Sequence, residues 1–432
     1  MEKNNFIIRN LLYCLPAFAF AIPTFPVMIL LPALYSEKYN IDIASIGIIL
    51  FIARFLDVVS DPLLGWINDK NLFRRKNLII FGSLICGFSL YQLFSPTIVP
   101  DKIHLFIWIS LLYLGWTIFQ IPYLSLGYDL EKDYLGRTKI SASREFFILL
   151  GLMASVSLPL FFNKEIISTE SLLVKLAIVS GFFGLLFFYI FINEPRKKKY
   201  NGALKVKKLS SELRKNFYFT KILVAWFFNS LANIFPMILF VFFITYFLGG
   251  TESDREIILF YYFISAIIGM PFWVFLSKFL EKNKVWYFSL ISSAIFFSSV
   301  FFLQNGDLQY FIIISCLTGF CLGGDLAIPP SILSDITDYH RLRFKSDISG
   351  ILFSSLTFLN KIAFAFASLF VFLSLGLLGF DSKVAISIEI KYFLLISYAG
   401  IPILLKFFSA YILKNFSLGE KMHGEITKKL YN

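Results

Sequence analysis

Histidine and cysteine are scarce in this chain, with three and four among 432 residues. His104, His340 and His423 lie near loops or the tail, without HxxxH or His/Cys spacing and without a converging Ser/His/Asp set. That leaves no metal centre and no hydrolytic site to read, and the chain is not expected to be an enzyme or to carry a cofactor. Cys14, Cys86, Cys316 and Cys321 sit singly in apolar runs, which excludes a disulfide framework and a zinc site. There is no glycine-rich phosphate loop ending in Lys-Ser or Lys-Thr, so ATP does not drive the protein directly. Charge is sparse too, at 16% of residues against 57% apolar, and mean hydropathy is +0.74. Such a chain is a polytopic membrane protein, with lipid as its solvent.

What is present is a succession of long apolar runs. A spanning helix needs about 20 predominantly apolar residues, and polar breaks divide the chain into spans 8–35, 41–67, 77–96, 104–128, 141–163, 171–193, 217–248, 255–280, 286–304, 308–334, 347–378 and 390–413. The first resembles a signal peptide, yet Leu11–Leu34 continues apolar beyond the small residues at 17–19, so a retained span is expected. The loops alternate in basic content. One set, around 70–76, 132–144, 196–215, 278–284 and 341–345, carries 23 Lys and Arg; the other has only Lys38, Lys102, Lys164, Arg255 and Lys383. The positive-inside rule puts both termini in the cytoplasm. Much of the net charge of +12 is therefore topology information, and no nucleic-acid partner is required. The long basic segment at 194–216 falls between spans six and seven. We expect a six-helix bundle over 1–193, a cytoplasmic linker over 194–216, a second six-helix bundle over 217–413 and a cytoplasmic tail over 414–432.

Ionisable residues inside spans stand out, because each costs about 2.5–3.5 kcal/mol to insert and so faces a cavity or a partner. In "ARFLDVVSDPLLGWINDK" (53–70), Arg54, Asp57 and Asp61 fall at i, i+3 and i+7 on one helical face. Pro62 frees the carbonyl of Val58. With the Ser60 hydroxyl these are hard oxygen donors suited to a small cation, and one arginine does not neutralise two aspartates. The bland alternative is an Arg54–carboxylate pair that glues helices together. Just beyond, Gly65 permits close helix approach, and Asp69 with Arg74 and Arg75 suits a cytoplasmic gate or simple topology charge. In span four Tyr113, Thr117 and Gln120 share a stripe with Trp116 close by, a surface for a polar solute or for helix–helix glue. Asn229 and Asn233 share a face of span seven. Asp325 lies at membrane depth in span ten, where Pro329 and Pro330 are expected to interrupt the helix. Thr357 and Lys361 are i, i+4 on span eleven. Asp325 and Lys361 either pair with each other or each serve a ligand.

Three ordered motifs, "RFLDVVSDPLLGW", "IPYLSLGYDLEKDYLGRTKISASREFF" and "DITDYHRLRFKSDISGILFSSLTFLNK", resemble the melibiose-permease-like glycoside–pentoside–hexuronide:cation symporters of the major facilitator superfamily. The resemblance runs over nearly the whole chain. It implies an all-α membrane protein of twelve transmembrane helices in two bundles, alternating access, and a multi-pass place in a bacterial cytoplasmic membrane. By motif, Asp57 and Asp61 match the coupling-cation carboxylates, Thr117 a threonine of the same site, and Ser60 stands where better-known members have asparagine. Arg144 matches an arginine bordering the sugar site, Lys361 the span-eleven lysine and Thr357 its polar neighbour. The departures fall on the sugar side: Gln120 replaces an acid, Leu124 an aromatic, and span one lacks the Lys-Asp pair of those members.

The function expected is therefore a monomeric secondary transporter coupling Na⁺ or H⁺ to a small organic solute, by default a sugar or glycoside. An amphipathic, lysolipid-like solute is the alternative, suited by the apolar face of span one and by Leu124. A non-transporting receptor ranks low, because the 414–432 tail is too short for an output domain.

Overall fold

The computed structural model describes residues 2–24, 26–69, 73–96, 99–130, 134–161, 169–191, 212–345, 349–381, 386–414 and 416–431. Their regular secondary structure is all helical, with no strand among them. The first half runs α1 (Glu2–Ala21), a π-turn at Pro26–Leu30, α2 (Leu31–Glu37), α3 (Ile43–Asp69), α4 (Arg75–Phe94), α5 (Lys102–Leu130), α6 (Tyr134–Phe161) and α7 (Thr169–Phe191). The second runs α8 (Phe217–Phe242), α9 (Glu252–Leu276), α10 (Lys282–Ser298), α11 (Leu308–Phe344), α12 (Ser349–Leu377), α13 (Ile388–Leu395), α14 (Ile401–Lys414) and α15 (Glu420–Tyr431). Among the described residues ten helices are long and apolar enough to cross a membrane. The protein is thus an integral, multi-pass membrane protein. Helices α6 and α7 cover the expected fifth and sixth spans.

Helix starts follow local chemistry. Thr251 and Asp254 form a reciprocal capping box ahead of α9, and Asn216 accepts from the Phe219 amide at the start of α8. Span one is built from two α-helices: α1 stops at Ala21 and α2 starts at Leu31, in a stretch holding Pro23, Pro26 and Pro32. One expectation needs correction. Span ten is longer than expected, and Pro329 and Pro330 do not interrupt it; α11 runs unbroken to Phe344 and ends at Lys345 in the left-handed region (φ 53°). Neighbouring helices tolerate such prolines by re-satisfying the freed backbone groups. Of the expected linker, 194–211 lies outside the described residues.

Packing is dense within each half: α4 and α3 on α5, α1 on α6 and α7; and α9 on α11, α8 on α12 and α14, α10 on α11 and α14. Between halves the main contacts are α3 on α12 and α6 on α9. The buried core explains how the halves meet. At the end away from the termini one continuous apolar cluster joins both halves, including Tyr35, Leu93 and Ile109 with Phe243, Leu248 and Phe372. At the end carrying the first turns of α1 and the C-terminal helix the core divides. Tyr13, Ile79 and Phe188 form one cluster, while Ile222, Trp286 and Leu413 form another. The halves are joined at one end and part at the other.

The α3–α12 seam runs through this change. A Cβ on Gly47 would stand 2.7 Å from Phe372 Cβ, and one on Gly376 3.1 Å from Ala44 Cβ, so the helices touch at the joined end. Further along, an apolar cavity of about 430 Å³, open to the outside of the seam where Phe55 and Phe366 are more than half exposed, lies between Phe51, Phe55 and Val58 of α3 and Phe358, Ile362 and Phe366 of α12.

Candidate functional site

Beside that cavity the chain concentrates charge. The face predicted on α3 exists: Arg54, Asp57 and Asp61 are all buried, the two aspartates at 3% and 4% exposure. Arg54 Nη1 donates to Asp57 Oδ2 at 3.1 Å. Its guanidinium lies 3.6 Å above the Tyr113 ring and 5.0 Å from that of Phe364 on α12, with Nη2 on Met28 Sδ at 3.3 Å. A cation on aromatic faces in a desolvated setting gains about 2 kcal/mol.

Lys361 completes the cluster from the other half. Its Nζ donates to Asp61 Oδ1 at 2.6 Å, to Asp57 Oδ1 at 3.1 Å and to Thr117 Oγ1 at 2.5 Å. Thr117 in turn donates to Asp57 Oδ1 at 2.6 Å. An ammonium therefore occupies an oxygen cage made by two helices of the first half, α3 and α5. The count of one arginine against two aspartates is balanced by this lysine. Two cations and two carboxylates leave the cluster neutral, which meets the requirement that buried charges be paired. The Arg54 Nε and the Tyr113 hydroxyl are buried without a partner among the described residues.

Ser60 is not aimed at the cage. Its hydroxyl donates to the Asp57 carbonyl at 2.7 Å, one turn back along its own helix. Thr357 behaves likewise, donating to the Ser354 carbonyl at 2.8 Å. Trp116 meets Phe20 edge-on, and Gln120 is half-buried without a hydrogen bond to the described residues. Arg144 pairs with its neighbour Glu145 at 2.5 Å, within α6.

Asn229, Asn233 and Asp325 come together elsewhere, inside the second half. Asp325 Oδ2 accepts from Lys406 Nζ at 3.0 Å and from Asn233 Nδ2 at 3.4 Å, and Oδ1 accepts from Trp286 Nε1 at 3.0 Å. Lys406 also reaches Asn229 Oδ1 at 3.2 Å. Asp325 and Lys361 therefore do not pair with each other; each finds an opposite charge within reach. Lys406 went unnoticed in the sequence although it is the lone charge in "AGIPILLKFFSAYIL" (399–413), the same signal that marked Lys361. Trp286, near a span end, offered no signal.

The expected gate fares differently. Among the described residues no atom of another helix stands within 4 Å of where a Gly65 Cβ would be, so none of those helices makes a close approach there. The Asp69 side chain lies outside the described residues. Arg74 is exposed at the N-cap of α4 and Arg75 is buried in its first turn.

Comparison with known proteins gives the family. The family described as MFS/sugar transport protein matches residues 12–420. The sodium-dependent lysophosphatidylcholine symporter 1 of Gallus gallus is 23% identical, over 92% of this chain and 84% of that protein. The uncharacterized symporter YjmB of Bacillus subtilis (strain 168) is 26% identical, over 92% of this chain and 90% of its own length. The inner membrane symporter YicJ of Escherichia coli (strain K12) is 23% identical, over 82% and 79%.

Proposed function

The chain belongs to the MFS/sugar transport protein family and is a transporter rather than an enzyme; from that premise we propose that it couples Na⁺ or H⁺ to a small organic solute through the cage of Asp57, Asp61 and Thr117. The observation that carries the proposal is the position of Lys361 Nζ, within 2.5–3.1 Å of three oxygens from the opposite half. Carboxylate and hydroxyl oxygens are the hard donors a small cation uses. A cation entering this cage displaces the lysine, and so breaks the ion pairs that tie the halves together at this level. The freed ammonium and the spare donors of Arg54 and Tyr113 then face the solute. Coupling is the difference in cation affinity between conformations.

The split core represents the conformation open toward the termini. With the termini in the cytoplasm, as the basic loops support, this is an inward-open state of a protein acting as a monomer in a bacterial cytoplasmic membrane. Residues 1–193 and 217–413 rock about the Lys361 contact. A sugar or glycoside is the default solute by family.

A second reading is favoured by the all-apolar cavity next to Lys361 and by the relatives named as lysophosphatidylcholine symporters. In it the solute is amphipathic, its head at the charged cluster and its chain in that cavity. Competition between glycosides and lysolipids for transport separates the two.

The coupling proposal is tested by thermal unfolding of purified protein in Na⁺, Li⁺ or K⁺ across a pH series. A ligand that binds only the folded state adds about 2.7 kcal/mol at roughly 100 times its dissociation constant. We expect a Na⁺-selective or proton-dependent stabilisation that Asp57→Asn and Asp61→Asn abolish; stabilisation kept by both variants overturns the assignment.

A further inference from the structure

The C-terminal helix is tied down by charge as well as by packing. Ile426 is buried, and Met422 packs on the apolar core at the foot of the second half. Tyr218 of α8 reaches Met422 Sδ at 3.7 Å and Ser417 Oγ at 3.1 Å. Between these anchors His423 Nε2 stands 3.2 Å from Asp338 Oδ2 and 3.8 Å from Asp335 Oδ1, two carboxylates one turn apart at the end of α11.

We propose that α15 is a proton-operated strap: protonated His423 ties it to Asp335 and Asp338, and loss of that proton releases it. The charges facing the imidazole define the balance. Asp335 also takes Lys282 Nζ of α10 at 2.9 Å, and Asp338 faces Arg341 Nη1 at 3.6 Å on its own helix. Glu281 lies against Gly419 at the entry to α15, while Glu425, Lys428 and Lys429 on α15 are exposed. Lys282 takes both oxygens of Asp335, and a neutral imidazole forfeits its own ion pairs, so that α15 is left to the packing of Met422 and Ile426, which is the loosened state. The hydrogen bond to Asp338 raises the His423 pKa above its ordinary value, burial opposes it, and the charges of Asp335 and Asp338 assist. A raised folded-state value means the stabilisation is fully present below the ordinary histidine value of about 6.5 and is lost as pH rises through the raised one. The strap thus connects cytoplasmic-side pH to the end of the molecule where the halves part.

The test is hydrogen–deuterium exchange of the full-length protein between pH 5.5 and 8.5, corrected for the intrinsic exchange rate. In the wild type, amides of residues 422–431 should exchange at least ~10-fold faster at the high end, relative to the low end. His423→Lys, charged throughout, should keep them protected at both extremes. His423→Gln should remove the pH dependence. Wild-type protection that is flat across the range, or a His423→Gln protein that keeps the wild-type dependence, overturns the proposal.

Discussion

Asp57 and Asp61 share a helix face but differ in how they are held. Asp57 meets Arg54, Thr117 and Lys361, whereas Asp61 is held through Lys361. Removing one partner of a buried ion pair costs on the order of 3–5 kcal/mol because an uncompensated charge remains. Asp57→Asn leaves two cations on one carboxylate and removes the hub. In cation-free buffer it should lower the unfolding midpoint more than Asp61→Asn; the reverse order would mean that Arg54 is compensated elsewhere. Lys361 is a different case, since on the displacement mechanism it competes with the coupling cation for the same oxygens. Lys361→Gln should therefore tighten cation binding at least ~10-fold, about 1.4 kcal/mol, while abolishing gradient-driven uptake. Titration calorimetry or thermal shift reads the first effect and proteoliposome uptake the second. Weaker cation binding in this variant would contradict displacement.

The interface between α9 and α11 rests on absent side chains. Gly319 and Gly323, spaced as G-x-x-x-G, meet the α9 backbone at Tyr262 and at Gly269–Met270 respectively; a Cβ on Gly323 would stand 2.4 Å from the Met270 amide nitrogen, and one on Gly319 2.3 Å from the Tyr262 carbonyl oxygen. In lipid, helices associate through such close backbone approach because burial of apolar surface offers little drive. The near contact is with backbone, so it cannot swing aside. Gly323→Val should destabilise by about 1–3 kcal/mol through overpacking. Gly87→Ala, where nothing lies within 4 Å, should change little. Thermal unfolding of the two variants checks the contrast, and equal midpoints would show that α9 and α11 separate freely.

The two halves share one apolar core at one end and hold separate cores at the other. Alternating access on this scaffold requires the joined end to open. Ala44 and Gly376 face each other across that end, with Cβ positions 3.1 Å apart. A disulfide needs Cβ atoms about 3.5–4.5 Å apart, which a small separation of the helices supplies. The four native cysteines are unpaired in the structure. If the proposed cage fills from the parted end, Ala44→Cys with Gly376→Cys, oxidised, should stop solute transport yet leave cation stabilisation intact. Reduction should restore transport. Transport that persists in the cross-linked protein would mean that this end does not open.

Helix positions, the buried charged face of α3 and the basic loop pattern were legible in the sequence, because hydropathy, helical period and the cost of charge in lipid are local properties of a short stretch. So were the departures at Gln120 and Leu124. The pairings were not. Lys361 lies 304 and 300 residues from Asp57 and Asp61, and could as well have met Asp325 on a neighbouring span. Only the packing of α12 on α3, and of α14 on α8 and α10, decided that Lys361 crosses to the first half and Lys406 takes Asp325. The same packing left Gly65 without a close neighbour among the described helices and carried α11 unbroken through its prolines. A charge in lipid must find a partner, and composition states that need; which partner it finds depends on the distance between helices, which no stretch of sequence contains by itself.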